Sequence, residues 1–161
     1  MKSILLTLVL FLSIPSSEIN EIRLAFKDAS KNEENAKAFY DLVKSKEYSE
    51  EVLYTAYDGA SEVILSKYID GSMEKLKYFK QGAKKIDKAV DQDKTNIEVR
   101  FVRLVIQVNT PEFLNYNKNI DEDKAYLLNH YSDCSNSIKK MISEYASMSD
   151  SFSTEEKNQL K

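Results

Sequence analysis

Apolar residues recur three and four positions apart along almost the whole chain, the spacing that lines one face of an α-helix. Ser17 opens a first helix over about 18–29, with Ile19, Ile22, Phe26 and Ala29 on one side. Asn32 caps a second, to about Lys44, whose apolar face carries Ala36, Phe39, Tyr40 and Val43. Ser49, followed by Glu50 and Glu51, starts a third, because acidic residues suit the positive end of the helix dipole. That helix runs to about Tyr68, and Val52, Ala56, Tyr57, Ala60, Val63 and Ile64 fall within its single apolar arc. Asp70–Ser72 reads as a turn, and Ser72 caps a fourth helix to about Gln92, with Leu76, Phe79, Ala83, Ile86, Ala89 and Val90 as its buried stripe.

The fifth helix is the most apolar run after the N-terminal segment. Thr95 and Glu98 form a capping-box pattern at its start, and Thr110–Pro111 ends it. Asp121 opens a further helix to about Tyr131, and Asp133 another through Ile138, Met141, Ile142 and Tyr145. Ser153 and Glu156 repeat the capping-box pattern for a short last piece, and the chain after about residue 147 reads as loosely ordered. Connections this short make consecutive helices antiparallel neighbours. The fold class expected is therefore all-α: stacked antiparallel helices, as a helical-hairpin array or an irregular bundle. Only three Gly and two Pro occur in 161 residues, which agrees with long helices and few turns.

The N-terminus adds a different signal. Lys2, the eleven-residue apolar core 4–14 and the small residues of Pro15–Ser17 follow the order of a secretory leader. Residues 1–17 are thus expected to be a signal peptide, leaving a single helical domain over 18–161 in a periplasmic or secreted protein. Nothing after Ile14 is apolar for long enough to span a bilayer. With a net charge of −3, nucleic acid is not an expected partner. Cys134 is the only cysteine, so no disulfide can form within one chain and stability must come from packing.

The stretch GAKKIDKAVDQDKTN, residues 82–96, resembles the second helix and exit turn of a tetratricopeptide repeat, with Gly82, Ile86 and Ala89 at its small, large and small packing positions. Lys94 stands where that motif has proline. The resemblance implies an antiparallel helical-hairpin architecture.

Few residues can carry chemistry. One histidine excludes the H-E-x-x-H pattern, and the glycine-rich phosphate loops are absent. Asp91, Asp93 and Thr95 begin like a calcium loop, but Asn96 replaces the required glycine and Val102 the closing glutamate. No cofactor or metal is expected. Lys77, Lys80, Lys84 and Lys88 form a strip read as a solvated face. His130 and Cys134, four apart, are the minimum for a thiolate nucleophile, although a helix start at Asp133 would separate them.

The arginines are the sharper candidate. Only three occur, and two stand in the fifth helix. With Ile97 at 0°, Arg103, Gln107 and Arg100 fall at about 240°, 280° and 300°, one polar wedge on an otherwise apolar helix. Arginine suits a partly buried position, because its planar fork grips a carboxylate or phosphate with two hydrogen bonds. Arg100, Arg103 and Gln107 therefore form either an internal ion-pair network or an anion-binding stripe. The leading functional expectation is a non-enzymatic binding or scaffold module with a protein or peptide partner. Small anionic ligand binding at the stripe comes second, and an enzyme built on Cys134 and His130 third.

Overall fold

A computed structural model describes residues 16–45 and 51–161. The leader read at 1–17 falls almost wholly outside them, as does the helix start read at Ser49. The chain is all-helical: α1 (Ser16–Ala29), α2 (Glu33–Lys44), α3 (Val52–Ser66), α4 (Ser72–Gln92), α5 (Ile97–Val108), α6 (Ile120–His130), α7 (Asn136–Met148) and α8 (Thr154–Gln159). Two short 3-10 turns, Glu112–Leu114 and Tyr131–Asp133, flank α6. No strand occurs among the described residues. None of the helices there is long and apolar enough to cross a membrane.

Side-chain caps fix the starts of α2, α5 and α8. Asn32 caps α2 by accepting from the backbone N–H of Asn35 at 2.8 Å. Ser153 and Glu156 form the full capping box of α8. Several starts differ from the sequence reading: α1 begins at Ser16, Ser72 is the first residue of α4 with Gly71 in the cap position, and α6 begins at Ile120 rather than Asp121. The cap of α5 is Asn96, whose side chain accepts from the N–H groups of Glu98 and Val99; Thr95 turns instead to the Asp93 carboxylate at 2.7 Å. α7 starts at Asn136, because the 3-10 turn at Tyr131–Asp133 delays it by about one turn beyond Asp133.

α3 is the central element and packs against α1, α2, α4 and α5. Its crossing with α4 is very tight, at two facing glycines. A Cβ on Gly59 would stand 2.5 Å from the carbonyl oxygen of Gly82, and one on Gly82 2.4 Å from that of Gly59. Neither position accepts a side chain unless two backbones separate. Ile86 fills the space beside Gly59, and Ala89 is fully buried, so the small-large-small spacing of 82–89 is the packing seam of this hairpin. A second seam joins α1, α2 and α3 through the rings of Phe26, Phe39 and Tyr57. Centroids lie 5.4–6.5 Å apart, and Tyr57 meets both phenylalanines edge-on.

The C-terminal part is anchored, contrary to the loose order expected beyond residue 147. Phe152 and Leu160 are buried. The Tyr131 hydroxyl donates to the Leu160 carbonyl at 3.0 Å, and Lys124 pairs with Glu156 at 3.2 Å. Serine-rich composition concealed two apolar anchors eight residues apart.

Candidate functional site

The arginine stripe faces α6. Arg103 grips Asp123 with both prongs of its fork, Nε to Oδ2 at 2.7 Å and Nη2 to Oδ1 at 2.8 Å. Arg100 adds a third bond to Asp123 at 2.8 Å, one to Glu122 at 2.9 Å and one to the Lys94 carbonyl at 2.6 Å. The Arg100 guanidinium also lies 4.3 Å from the centroid of Tyr126. Gln107 exchanges two bonds with Asn119, one to its backbone and one to its side chain. Asp123 is fully buried, and Arg100, Arg103 and Gln107 are at most 6% exposed. Burial lowers the Arg103 pKa, but the hydrogen bond and charge of Asp123 outweigh it and the net shift is upward. The hydrogen bond from Arg100 lowers the pKa of Glu122.

This is the internal ion-pair arrangement. The anion-binding alternative for Arg100, Arg103 and Gln107 is corrected on that ground: an incoming anion would have to displace a buried carboxylate already holding three charge-assisted bonds.

The third arginine follows the same rule. Arg23 on α1 binds Glu98 of α5 bidentately, at 2.7 and 2.6 Å, and the Tyr57 hydroxyl donates to the same carboxylate at 2.7 Å. Glu98, read from the sequence as half of a capping box, is instead the acceptor of a tie linking α1, α3 and α5. A third charged centre joins α2, α3 and α4: Lys44 and Lys85 share Asp58 and Glu62. These centres fix helices to one another.

The His130–Cys134 pair is not a nucleophile site. The 3-10 turn breaks their common face, and the thiol points to the His130 carbonyl at 3.5 Å rather than to the ring. Burial raises the Cys134 pKa, the reverse of what a reactive thiolate requires. The imidazole stacks on Tyr126 at 4.0 Å, and its Nδ1 lies 2.9 Å from the Tyr126 carbonyl. The lysine strip is exposed as expected, with Lys77 paired to Glu74.

The feature that no motif announced lies on the other side of α5. Phe101, Val105 and Ile106 turn away from the arginine stripe and line a cleft of about 1130 Å³. Phe26 of α1, Val63 and Ile64 of α3, Phe79 of α4, and Met141 and Tyr145 of α7 complete its walls. α7 reaches α5 there through Phe101 and Tyr145, edge-on at 5.6 Å, and reaches α1 through Lys27 and Glu144 at 2.7 Å. Its deep walls are closely packed, with Phe26, Val63, Ile64, Phe79, Phe101 and Ile106 each at most 7% exposed, and the cleft opens between these two contacts and the α3–α4 turn.

The rim is apolar as well. Five large apolar side chains are exposed among the described residues, and three of them line this cleft: Phe113 at 80%, Met148 at 72% and Leu76 at 38%. Phe113 is held outward by the Glu112–Leu114 turn, which Asn115 closes in the left-handed conformation, φ 52°. Asparagine tolerates that conformation better than most residues. Charge on the rim is uneven. Lys67, at the end of α3, and Lys75, on the first turns of α4, stand at one edge with no carboxylate partner among the described residues, Lys27 is paired to Glu144, and Asp150, after α7, puts an exposed carboxylate elsewhere on the lining. No protein-family model matches the chain, and no curated protein or solved structure is significantly similar to it.

Proposed function

We propose that this protein is a non-enzymatic binding module, exported from the cell, whose apolar cleft is its binding site. The observation that carries the reading is the coincidence of a large cleft with the main concentration of exposed apolar side chains. Binding sites are concave and mostly apolar with a few polar groups at the edge, and exposed apolar surface on a folded domain marks an interaction site when it is contiguous. Phenylalanine and methionine, the two most exposed rim residues, are among the types enriched at protein interfaces. The absence of an activated nucleophile at Cys134 and the internal use of all three arginines remove the competing sites. Export rests on the sequence of Lys2, the apolar core 4–14 and the small residues before Glu18.

The test is a titration of the purified, methyl-labelled chain with 1-anilinonaphthalene-8-sulfonate. Saturable one-to-one binding is expected, with the largest NMR shifts at Val63, Val105, Ile106 and Met141. Unsaturable binding, or shifts scattered away from these methyls, would refute the cleft as the site.

A further inference from the structure

We infer that the natural occupant of the cleft is an amphipathic helix from a partner protein, carrying acidic residues along the flank that faces Lys67 and Lys75. The inference rests on the binding-module reading and adds the chemistry of the partner.

The first argument is size. A helix with its side chains is about 10–12 Å across and rises about 1.5 Å per residue. Three turns sunk to half their diameter fill roughly 600–900 Å³, which the cleft of about 1130 Å³ accommodates. The second argument is the position of the apolar rim. A small amphiphile lodged inside would leave Phe113 and Met148 in water. A half-sunk helix meets the floor with residues i, i+3, i+4 and i+7 and meets the rim with the positions beside them. Both apolar surfaces are then covered by one occupant. Methionine suits such a rim, because its unbranched, polarizable side chain adapts to different contours. Met148 and Met141 place two of them along α7.

The third argument is charge. Lys27 is neutralised by Glu144, so the charges left for a partner at the α3–α4 edge are those of Lys67 and Lys75. An acidic flank laid along that edge gains two pairings and a basic one meets repulsion, while Asp150 elsewhere on the lining favours a partner whose acidic residues are confined to the one flank. Charge of this kind selects partner and register more than it adds affinity.

The experiment uses the purified chain and two synthetic eighteen-residue peptides. Both carry leucine at the i, i+3, i+4, i+7 positions; one has glutamates on the flank and the other has lysines. The expected result is that the acidic peptide gains helical circular dichroism on binding, shifts the cleft methyls and binds about tenfold tighter than the basic one. The preference should shrink with added salt and reverse in the Lys67→Glu, Lys75→Glu double variant. Equal affinity for the two peptides would overturn the inference. So would failure of both peptides while the fluorescent fatty acid cis-parinaric acid binds and shifts the same methyls; the cleft would then be a lipid site and the binding-module reading would survive. Self-association of the chain through the cleft, seen by sedimentation, would also overturn it in favour of a second copy. Failure of the peptides and the fatty acid alike, in a chain with an intact spectrum, would end both readings.

Discussion

The two sides of α5 are built from neighbouring residues and end in opposite states. On one side Arg100, Arg103 and Gln107 are closed over by α6, and Asp123 answers both guanidiniums. On the other side Phe101 and Ile106 are buried, and with the half-buried Val105 they form the floor of a cleft whose apolar rim is exposed. The polar side, which looks like a site on a helical wheel, is finished structure. The apolar side is core at its floor and opens only where Phe113, Met148 and Leu76 of other elements form the cleft rim. Rare charged residues mark a site only when their charges are unanswered. An apolar stripe marks core only when something packs on it.

The sharpest way to break this comparison is to remove Asp123. Asp123→Ala leaves two buried guanidiniums with only the exposed Glu122 and the more distant Asp87, 4.0 Å from Arg103, as carboxylate neighbours. Breaking a buried pair by removing one partner costs about 3–5 kcal/mol, so a large drop in the urea midpoint is expected. A loss under about 1 kcal/mol would mean that the stripe is not a structural tie, and anion binding there would return as its role.

The hairpin crossing gives the next effect. Gly82→Ala improves intrinsic helix propensity by about 0.8–1 kcal/mol. It also drives a methyl to 2.4 Å from a backbone carbonyl that cannot rotate away. Overpacking of this kind costs typically about 1–3 kcal/mol and occasionally more, so the net change should be destabilising. Thermal melts of Gly82→Ala and of Lys84→Ala, an exposed position on the same helix, separate crossing from propensity: the first should fall and the second should hold.

Much of the fold was legible, and the misses have physical causes. Period and caps place the helices, and Asn32, Ser153 and Glu156 act as their positions demand. Arginine in a narrow polar wedge correctly implied partial burial. Its partner was not legible, because Asp123 looks like any acidic residue in a first turn. The Arg23–Glu98 tie spans 75 positions, and no local spacing encodes such a pairing. The cleft was hidden for a deeper reason. Val105 and Phe101 have the same place in the pattern whether a helix covers them or not, so periodicity reports which face is apolar and not what meets it. Phe113 lay in a short turn that periodicity does not interpret.

A pH measurement sharpens the closed side of the comparison. Burial raises the Tyr57 pKa well above its ordinary 10.0, and the Glu98 carboxylate adds to the effect. A folded pKa above the unfolded one gives stability that is complete below pH about 10 and is lost as pH rises toward the folded value. The slope reaches at most about 1.4 kcal/mol per pH unit for one proton. Tyr57→Phe removes this linkage and leaves the tyrosines and lysines elsewhere. Between pH about 10 and 11 the variant should therefore lose stability less steeply than the parent, although it starts lower without the hydrogen bond to Glu98. Parallel slopes would show that the hydroxyl is not buried against the carboxylate.

The smallest expected change in stability belongs to the open side, and it discriminates most directly between surface and site. Phe113 and Met148 are exposed, so Phe113→Ser and Met148→Ser should each change stability by no more than about 0.5 kcal/mol. If the cleft binds, both should weaken the acidic peptide while leaving the fold intact. Leu24 supplies the control, because it is exposed to a similar degree on α1 and does not line the cleft. Leu24→Ser should leave both stability and binding unchanged. Equal losses of binding in all three variants would show that exposed apolar area in general holds the peptide. Losses confined to positions 113 and 148 would show that exposure matters here because of where these two side chains stand, at the mouth of an apolar cleft.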